Sequence, residues 1–386
     1  MEHLKVKSFG PIDEADVHFG DLTLLVGPQA SGKSIFLQLL KLLVDKFNIR
    51  ANLELYNYIW GKDIDKILDL YFGEGMFNIW KENTTIQLDN KLYDKNYLPP
   101  NYNGWETSSA MDEKIFYIPA QRILSVSDGR PKNFMEFESS TPYVIRQFSE
   151  ILRQMLQNGI IYSDSLFPLS NQLITPIRKS FNESIFHDGK VVMDDRTGQR
   201  KLRMEVDGMS IPFITWSAGQ KEFMPLLLGF YRLSPPFKLD RIDKFEYVVI
   251  EEPEMGLHPQ AIKSVILQII DLISRDYKVI VSTHSPVFLE FVWALNLLKK
   301  SKVKDAALLE LFDIPLNENT KFIFEGIFSK KINTYYFDRK NEKVIVKDIS
   351  SLDAGSEDEA MSSWGGLSSF AGKATDVVSK YFSDEK

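Results

Sequence analysis

Gly27-Pro28-Gln29-Ala30-Ser31-Gly32-Lys33-Ser34 fits the pattern G-x-x-x-x-G-K-[ST] at every defined position, and few eight-residue stretches constrain a fold as strongly. It follows the apolar run Leu22-Thr23-Leu24-Leu25-Val26, which reads as a buried strand. It precedes Ile35, Phe36, Leu39, Leu40 and Leu43, whose spacing predicts a helix with a wide apolar face. Strand, glycine loop and helix together let several backbone N–H groups and the positive end of a helix converge on an anion. On this reading Lys33 reaches the β- and γ-phosphates of a nucleotide, and Ser34 offers a hydroxyl to Mg²⁺.

Composition narrows the remaining classes. The 386 residues are 44% hydrophobic, enough for one large or two smaller folded units. With 46 basic against 53 acidic residues the net charge is −7, so any nucleic-acid contact must come from a local patch. The absence of cysteine excludes disulfides, thiolate metal sites and cysteine nucleophiles, and fits a cytoplasmic protein. Only five histidines occur, and none sit at paired metal-ligand spacing. The beginning, Met1 to Val6, lacks signal-peptide character, and Val287 to Leu298, broken by Glu290 and Asn296, is too short to span a bilayer. No membrane association is expected, and Val287 to Leu298 reads as a core helix.

Before the loop, Leu4–Phe9 and Ala15–Phe19 read as antiparallel strands around Gly10-Pro11. After it, helical spacing recurs from Leu53 to Phe77, and the polar stretch from Trp80 to Trp105 reads as a surface excursion. Ile115–Ile118 is the next strand, and it ends in Pro119-Ala120-Gln121-Arg122. Gln121 there suits a Mg²⁺ or water contact and Arg122 a phosphate, while a solvated loop fits the pair equally well. A helical stripe follows from Thr141 to Gln157. Between Phe186 and Pro212 the alternation and turns predict a β-meander, whose Arg196, Arg200, Lys201 and Arg203 read better as a solvated hairpin face than as a phosphate contact.

Three further motifs decide the chemistry. Ser217 caps a helix beginning Ala218-Gly219-Gln220, so its free N–H groups can meet an anion. The strand Phe245–Ile250 delivers Glu251 and Glu252 to a sheet edge, one to hold Mg²⁺ and the other to polarise the attacking water. The strand Tyr277–Val281 leads to His284, placed for a γ-phosphate contact; alone, such a histidine would more often be structural.

The order of Gly27–Ser34, Gln121, Ser217-Ala218-Gly219-Gln220, Glu251-Glu252 and His284 resembles an ABC-type ATPase. More narrowly, Leu4 to Gly27 and Glu251-Glu252-Pro253-Glu254-Met255-Gly256-Leu257-His258-Pro259 resemble the RecF/SMC-like and OLD-like class often called AAA15. The resemblance implies an α/β P-loop NTPase with an ABC-type head: a mixed β-sheet flanked by helices, an antiparallel β subdomain, a helical insertion and no long coiled coil. It implies ATP and Mg²⁺ as cofactors, with Gly27, Pro28, Gln29, Ala30, Ser31, Gly32, Lys33 and Ser34 cradling the nucleotide of one copy. Ser217, Ala218, Gly219 and Gln220 of a second copy would close over it, making the protein at least an ATP-bridged dimer. Ser34, Glu251 and Gln121 would face the metal, Glu252 would activate water, and His284 would act as the switch histidine. Two departures bear on turnover: Glu251 stands where many relatives have aspartate, and Ala218 replaces the first glycine of the usual signature.

The head then spans 1–349, comprising an N-terminal lobe, 1–122, a helical and β insertion, 123–199, and a signature and carboxylate lobe, 200–349, that finishes with strands at Phe322–Ile327, Thr334–Phe337 and Val344–Ile349. An acidic, Ser/Gly-rich flexible linker, 350–366, leads to an amphipathic helix, 367–386, that either packs on its own body or docks on another subunit. No D-x-D pair follows His284, so a nuclease is expected on a separate partner. The arrangement is similar to the ATPase subunits of PARIS-type antiphage systems, which restrain a TOPRIM nuclease until a phage protein is sensed. A RecF-like repair ATPase that binds DNA is the alternative, and a transporter subunit fits the Glu251–Pro259 pattern least.

Overall fold

Leu22–Val26, buried along its whole length, lies inside a ten-stranded mixed sheet in the computed structural model. The structure describes residues 1–100, 112–157, 165–169, 172–195, 198–234, 245–302, 304–317, 320 and 323–383. The chain opens with β1 (His3–Phe9), β2 (Ile12–His18) and β3 (Leu22–Val26), then forms α1 (Lys33–Leu55) and α2 (Ile64–Phe72). Next come β4 (Trp80–Leu88), β5 (Lys91–Tyr93), β6 (Ile115–Ile118), the short pair β7 (Val126–Ser127) and β8 (Arg130–Pro131), and α3 (Tyr143–Gln157). A smaller antiparallel sheet holds β9 (Ser165–Phe167), β10 (Lys190–Asp194), β11 (Lys201–Val206) and β12 (Met209–Pro212), with α4 (Thr175–Phe181) inserted after β9. The last third contains α5 (Ala218–Leu233), β13 (Tyr247–Glu251), α6 (Pro259–Ser274), β14 (Lys278–Thr283), α7 (Pro286–Leu298) and α8 (Lys304–Leu311). It closes with β15 (Ile332–Lys340), β16 (Lys343–Asp348), α9 (Glu359–Ser362) and α10 (Ser369–Ser383).

The large sheet runs β5-β4-β1-β2-β16-β15-β3-β14-β13-β6. Five neighbours, β15, β3, β14, β13 and β6, are parallel, so their carboxyl ends share one edge. Period-two alternation divides each central strand between two cores. Leu24, Val248, Ile250, Val279 and Val281 face α5 and α6, whereas Leu25, Val249 and Ile280 face the apolar side of α1. Burial on both faces is what a parallel sheet requires, and it is why these strands read as continuous apolar runs. Among the described residues no helix is long and apolar enough to cross a membrane.

Three sequence expectations change. Trp80–Leu88 is a strand rather than an excursion: it pairs antiparallel with β1, and Trp80 is 2% exposed with its indole edge-on to Phe9. Residues 101–105 of that stretch lie outside the described residues. The strand expected at Phe322–Ile327 is absent; 323–326 form turns and 327–329 a single 3-10 turn, with Phe322 outside the described residues. The acidic stretch 350–366 is anchored rather than free. Leu352 is fully buried, and the Trp364 indole N–H donates to the Leu352 carbonyl at 3.1 Å while its ring leans on Trp293. A few large apolar side chains outweigh the polar composition there. Beyond it α10 exposes Val377 and Val378, while the side chains of Phe370, Ala371, Tyr381 and Phe382 fall outside the described residues.

The basic hairpin is neutralised internally. Lys201 pairs with Asp128, and Arg203 pairs with Asp194 at 3.4 Å and bonds the Ser210 hydroxyl at 2.7 Å. Arg200 is exposed and Arg196 lies outside the described residues.

Candidate nucleotide site

The loop after β3 is shaped by backbone that only small residues tolerate. Gly27 has φ +146°, and a Cβ there would lie 2.7 Å from the Phe337 carbonyl oxygen of β15. Gly32, at φ +83°, starts α1, and a Cβ on it would meet Pro11 at 2.9 Å. Ala30 also adopts a left-handed φ of +55°, and its carbonyl accepts from Arg339 at 3.0 Å. Pro28, Gln29 and Ala30 are exposed, while Ser31 is buried under them.

Lys33 is only 5% exposed. Its ammonium is folded back into the loop, donating to the Gly27 carbonyl at 2.9 Å, the Pro28 carbonyl at 3.0 Å and the Ser31 hydroxyl at 3.3 Å. Burial pulls its pKa down to about 8, against the opposing pull of Glu252, Glu254 and Glu251. Among the described residues this cation has carbonyl dipoles but no full counter-charge in contact, the condition in which an incoming phosphate gains most.

Three glutamates follow β13. Glu251 is 3% exposed; its Oε2 accepts the Ala120 N–H at 3.3 Å, and its Oε1 is buried with no hydrogen-bond partner among the described residues. Burial pushes this carboxyl's pKa up, opposed by Ser34, the Ala120 amide and Tyr117. Glu252 turns into left-handed backbone at φ +42°, off the extended path of β13. His284 lies 3.3 Å from it and is the largest influence holding its carboxyl below the ordinary range, aided by Lys33 and Arg122. Glu254 accepts from the Thr283 hydroxyl at 2.8 Å and the His284 N–H at 2.5 Å, so it fixes the backbone that carries the histidine.

Arg122 does not face a phosphate. Fully buried, it donates to the main-chain carbonyls of Glu222 at 3.0 Å, Glu251 at 3.1 Å and Glu252 at 3.2 Å, pinning the end of β13 to the start of α5. Sequence reading missed this role, and it missed Glu254 and Arg339 as site neighbours. The repeated glutamates of Glu251-Glu252-Pro253-Glu254 were the available signal for Glu254. Gln121 is exposed beyond β6, and among the described residues its side chain makes no hydrogen bond.

At α5, Ser217 and Gln220 form a reciprocal capping box, with bonds of 3.2 and 3.3 Å. Gln220 is thereby turned inward, its amide group also reaching the Ile185 carbonyl at 3.1 Å, and Ser217 and Ala218 remain exposed. Gly219 is a contact point: a Cβ there would stand 2.6 Å from the Gly256 carbonyl oxygen. His258 caps α6 through its Nδ1, 3.3 Å from the Gln260 N–H. Among the described residues, the side-chain hydrogen bonds of Ser217 and Gln220 stay within this cap and Ile185; none goes to the phosphate loop.

The structure thus brings Lys33, Ser34, Glu251, Glu252 and His284 to one sheet edge and leaves Ser217 and Ala218 on a separate exposed turn. The family profile described as "AAA domain, putative AbiEii toxin, Type IV TA system" matches residues 114–290, from β6 to the first turn of α7. The OLD nuclease of Thermus scotoductus is 21% identical over 342 residues, covering 78% of this chain and 62% of that protein; the chain therefore spans less than two thirds of that relative. Among solved structures, the SMC head domain from Thermotoga maritima matches with a TM-score of 0.36 and 12% identity, covering 90% of this chain and 98% of its own. An SmcHead bound to the C-winged helix domain of ScpA gives 0.39 and 14%, covering 93% and 98%. Residue order and the shared sheet edge agree with the AAA-domain match over residues 114–290, and the chain is similar to the ABC-type ATPases of the RecF/SMC-like and OLD-like class.

Proposed function

We propose that two copies of this chain close over ATP and hydrolyse it, and that the assembly acts as sensor and scaffold, restraining a separate TOPRIM-type effector nuclease in antiphage defence until a phage protein is sensed. The observation that carries the ATP reading is the shared edge: Lys33 and Ser34 after β3, Glu251 and Glu252 at the end of β13, His284 after β14. The donor set fits Mg²⁺ and a triphosphate. Among the described residues Glu251 Oε1 is a buried hard oxygen with no hydrogen-bond partner and Lys33 has no counter-ion in contact, while Ser34 lies beside Glu251.

Ser34 and Glu251, with Gln121 from the adjacent strand end, would hold the cation, which when bound supplies charge stabilisation at the phosphoryl oxygens. Lys33 unfolds from its loop carbonyls to meet the β- and γ-phosphates. Glu252, kept ionised by His284, accepts a proton from the attacking water, while His284 orients the pair. The exposed Ser217 and Ala218 turn, supported through Gly219 on Gly256, presents the Ala218 and Gly219 N–H groups, which the capping box does not use, to nucleotide on the second copy. Effector chemistry is assigned to another chain by similarity to PARIS-type systems, and a relative bearing the name nuclease extends beyond the matched length.

Sedimentation of the Glu252→Gln chain tests the sandwich. With Mg²⁺ and ATP it should shift to dimer mass or above, and turnover should fall roughly 100-fold or more. Monomer in saturating ATP, or near-normal turnover, sinks the assignment. Co-expression with a TOPRIM nuclease encoded beside it tests the scaffold: a stable complex with silent nuclease supports it. Salt-sensitive duplex-DNA binding by the isolated chain, with no such complex, points to RecF-like repair instead.

A further inference from the structure

His3 and His18, fifteen positions apart and unremarkable in the sequence, are cross-strand partners on β1 and β2. Asp16 sits two residues before His18 and therefore on the same face of the ribbon. Their ligand atoms all lie within 4.8 Å of one another. We propose that His3, Asp16 and His18 bind one first-row transition-metal cation of the Zn²⁺ type, at a site separate from the nucleotide edge.

The geometry is close to what such an ion needs. Tetrahedral zinc bonds of about 2.0–2.1 Å place ligand atoms about 3.3 Å apart. His3 Nε2 is 2.5 Å and His18 Nε2 3.8 Å from the same carboxylate oxygen, Asp16 Oδ1, so the two separations bracket that value. The imidazoles stack with centroids 4.0 Å apart and planes 7° from parallel, so each ring must tilt for both lone pairs to converge. That motion is open to His18, whose side chain is 57% exposed. Its backbone is meanwhile held: the His18 N–H donates to the Tyr335 hydroxyl at 3.0 Å. One carboxylate proton acceptor satisfies only His3; His18 stays beyond hydrogen-bond distance and keeps a nitrogen for a ligand.

The donor set also selects the ion. Two imidazoles and a carboxylate suit zinc, cobalt or nickel, whereas magnesium demands oxygen ligands in octahedral array. Lys5 is the built-in competitor, its ammonium 3.0 Å from Asp16 Oδ2. A bound cation would cross-link the two strands that lead into β3, four residues after His18.

The test uses the chain without added histidines, stripped by chelator and free of nucleotide, titrated with Co²⁺ and followed by its visible d–d bands. One equivalent should bind, Zn²⁺ should displace it, and millimolar Mg²⁺ should not. Asp16→Asn and His18→Ala should each weaken binding roughly tenfold or more, and Lys5→Gln should tighten it severalfold. His18 is exposed, so the variant keeps its fold, verified by circular dichroism. No stoichiometric cobalt spectrum, displacement by Mg²⁺, or a His18→Ala titration matching wild type overturns the site.

Discussion

Replacing Lys33 with methionine should make the nucleotide-free protein more stable while abolishing its grip on ATP. The Lys33 pKa falls from its ordinary 10.5 to about 8 because the ammonium is buried. At about 1.4 kcal/mol per tenfold change in proton affinity, holding the charged form at pH 7 costs roughly 3 kcal/mol relative to the unfolded chain. Methionine keeps most of the stem and removes the charge. It also removes the donor from the buried Gly27 carbonyl and the part-buried Pro28 carbonyl, a loss of about 1–2 kcal/mol in all. The expected net gain is about 1–2 kcal/mol at pH 7.

The sign with pH is fixed by linkage. Between about pH 8 and 10.5 the unfolded lysine holds a proton that the folded one has lost, so wild-type stability rises through that window. The advantage of Lys33→Met should therefore shrink by pH 10. Urea denaturation at both pH values measures it, alongside binding of a fluorescent ATP analogue. With ATP at 100 times its dissociation constant wild type should gain about 2.7 kcal/mol and the variant nothing. A methionine variant less stable than wild type at pH 7, or a gap that does not narrow by pH 10, would refute the reasoning.

His284→Asn removes the largest influence depressing the Glu252 pKa, so that carboxyl should move back toward its ordinary 4.5 and the acidic limb of kcat should shift upward; a pH–rate profile reads this directly. The wild-type contribution is present above that ordinary value and is lost as pH falls through the depressed one. Arg122→Met leaves two buried carbonyls and one part-buried carbonyl without their donor and should destabilise the fold by about 3 kcal/mol and slow turnover, measured by thermal melts and phosphate release. Gly219→Ala places a methyl 2.6 Å from the Gly256 carbonyl oxygen, so ATP-driven association in sedimentation should weaken while nucleotide affinity at the Lys33 loop is kept.

Local chemistry was legible in the chain. Gly27, Gly32 and Lys33 announce their loop because the backbone angles and the ammonium are needed within eight residues. The positions of Glu251 and His284 were legible because Glu251 ends and His284 follows a buried strand whose apolar run is visible in one dimension. The Ser217 cap was readable for the same reason, its partner Gln220 lying three residues away.

What could not be read is pairing across distance. Trp80–Leu88 is polar enough to pass for a loop, and it is a strand only because β1 offers its edge. Arg122 read equally as a phosphate contact or as part of a solvated loop, and only the Glu222 and Glu251 carbonyls, 100 and 129 residues further on, give it its place. The His3–Asp16–His18 cluster exists only in the register that sets His3 opposite His18, since a slip of one residue would turn one partner to the other face. Propensity and turn chemistry act over a few residues and are written in order along the chain; strand order, register and burial come from contacts between distant segments, which the tertiary structure alone decides.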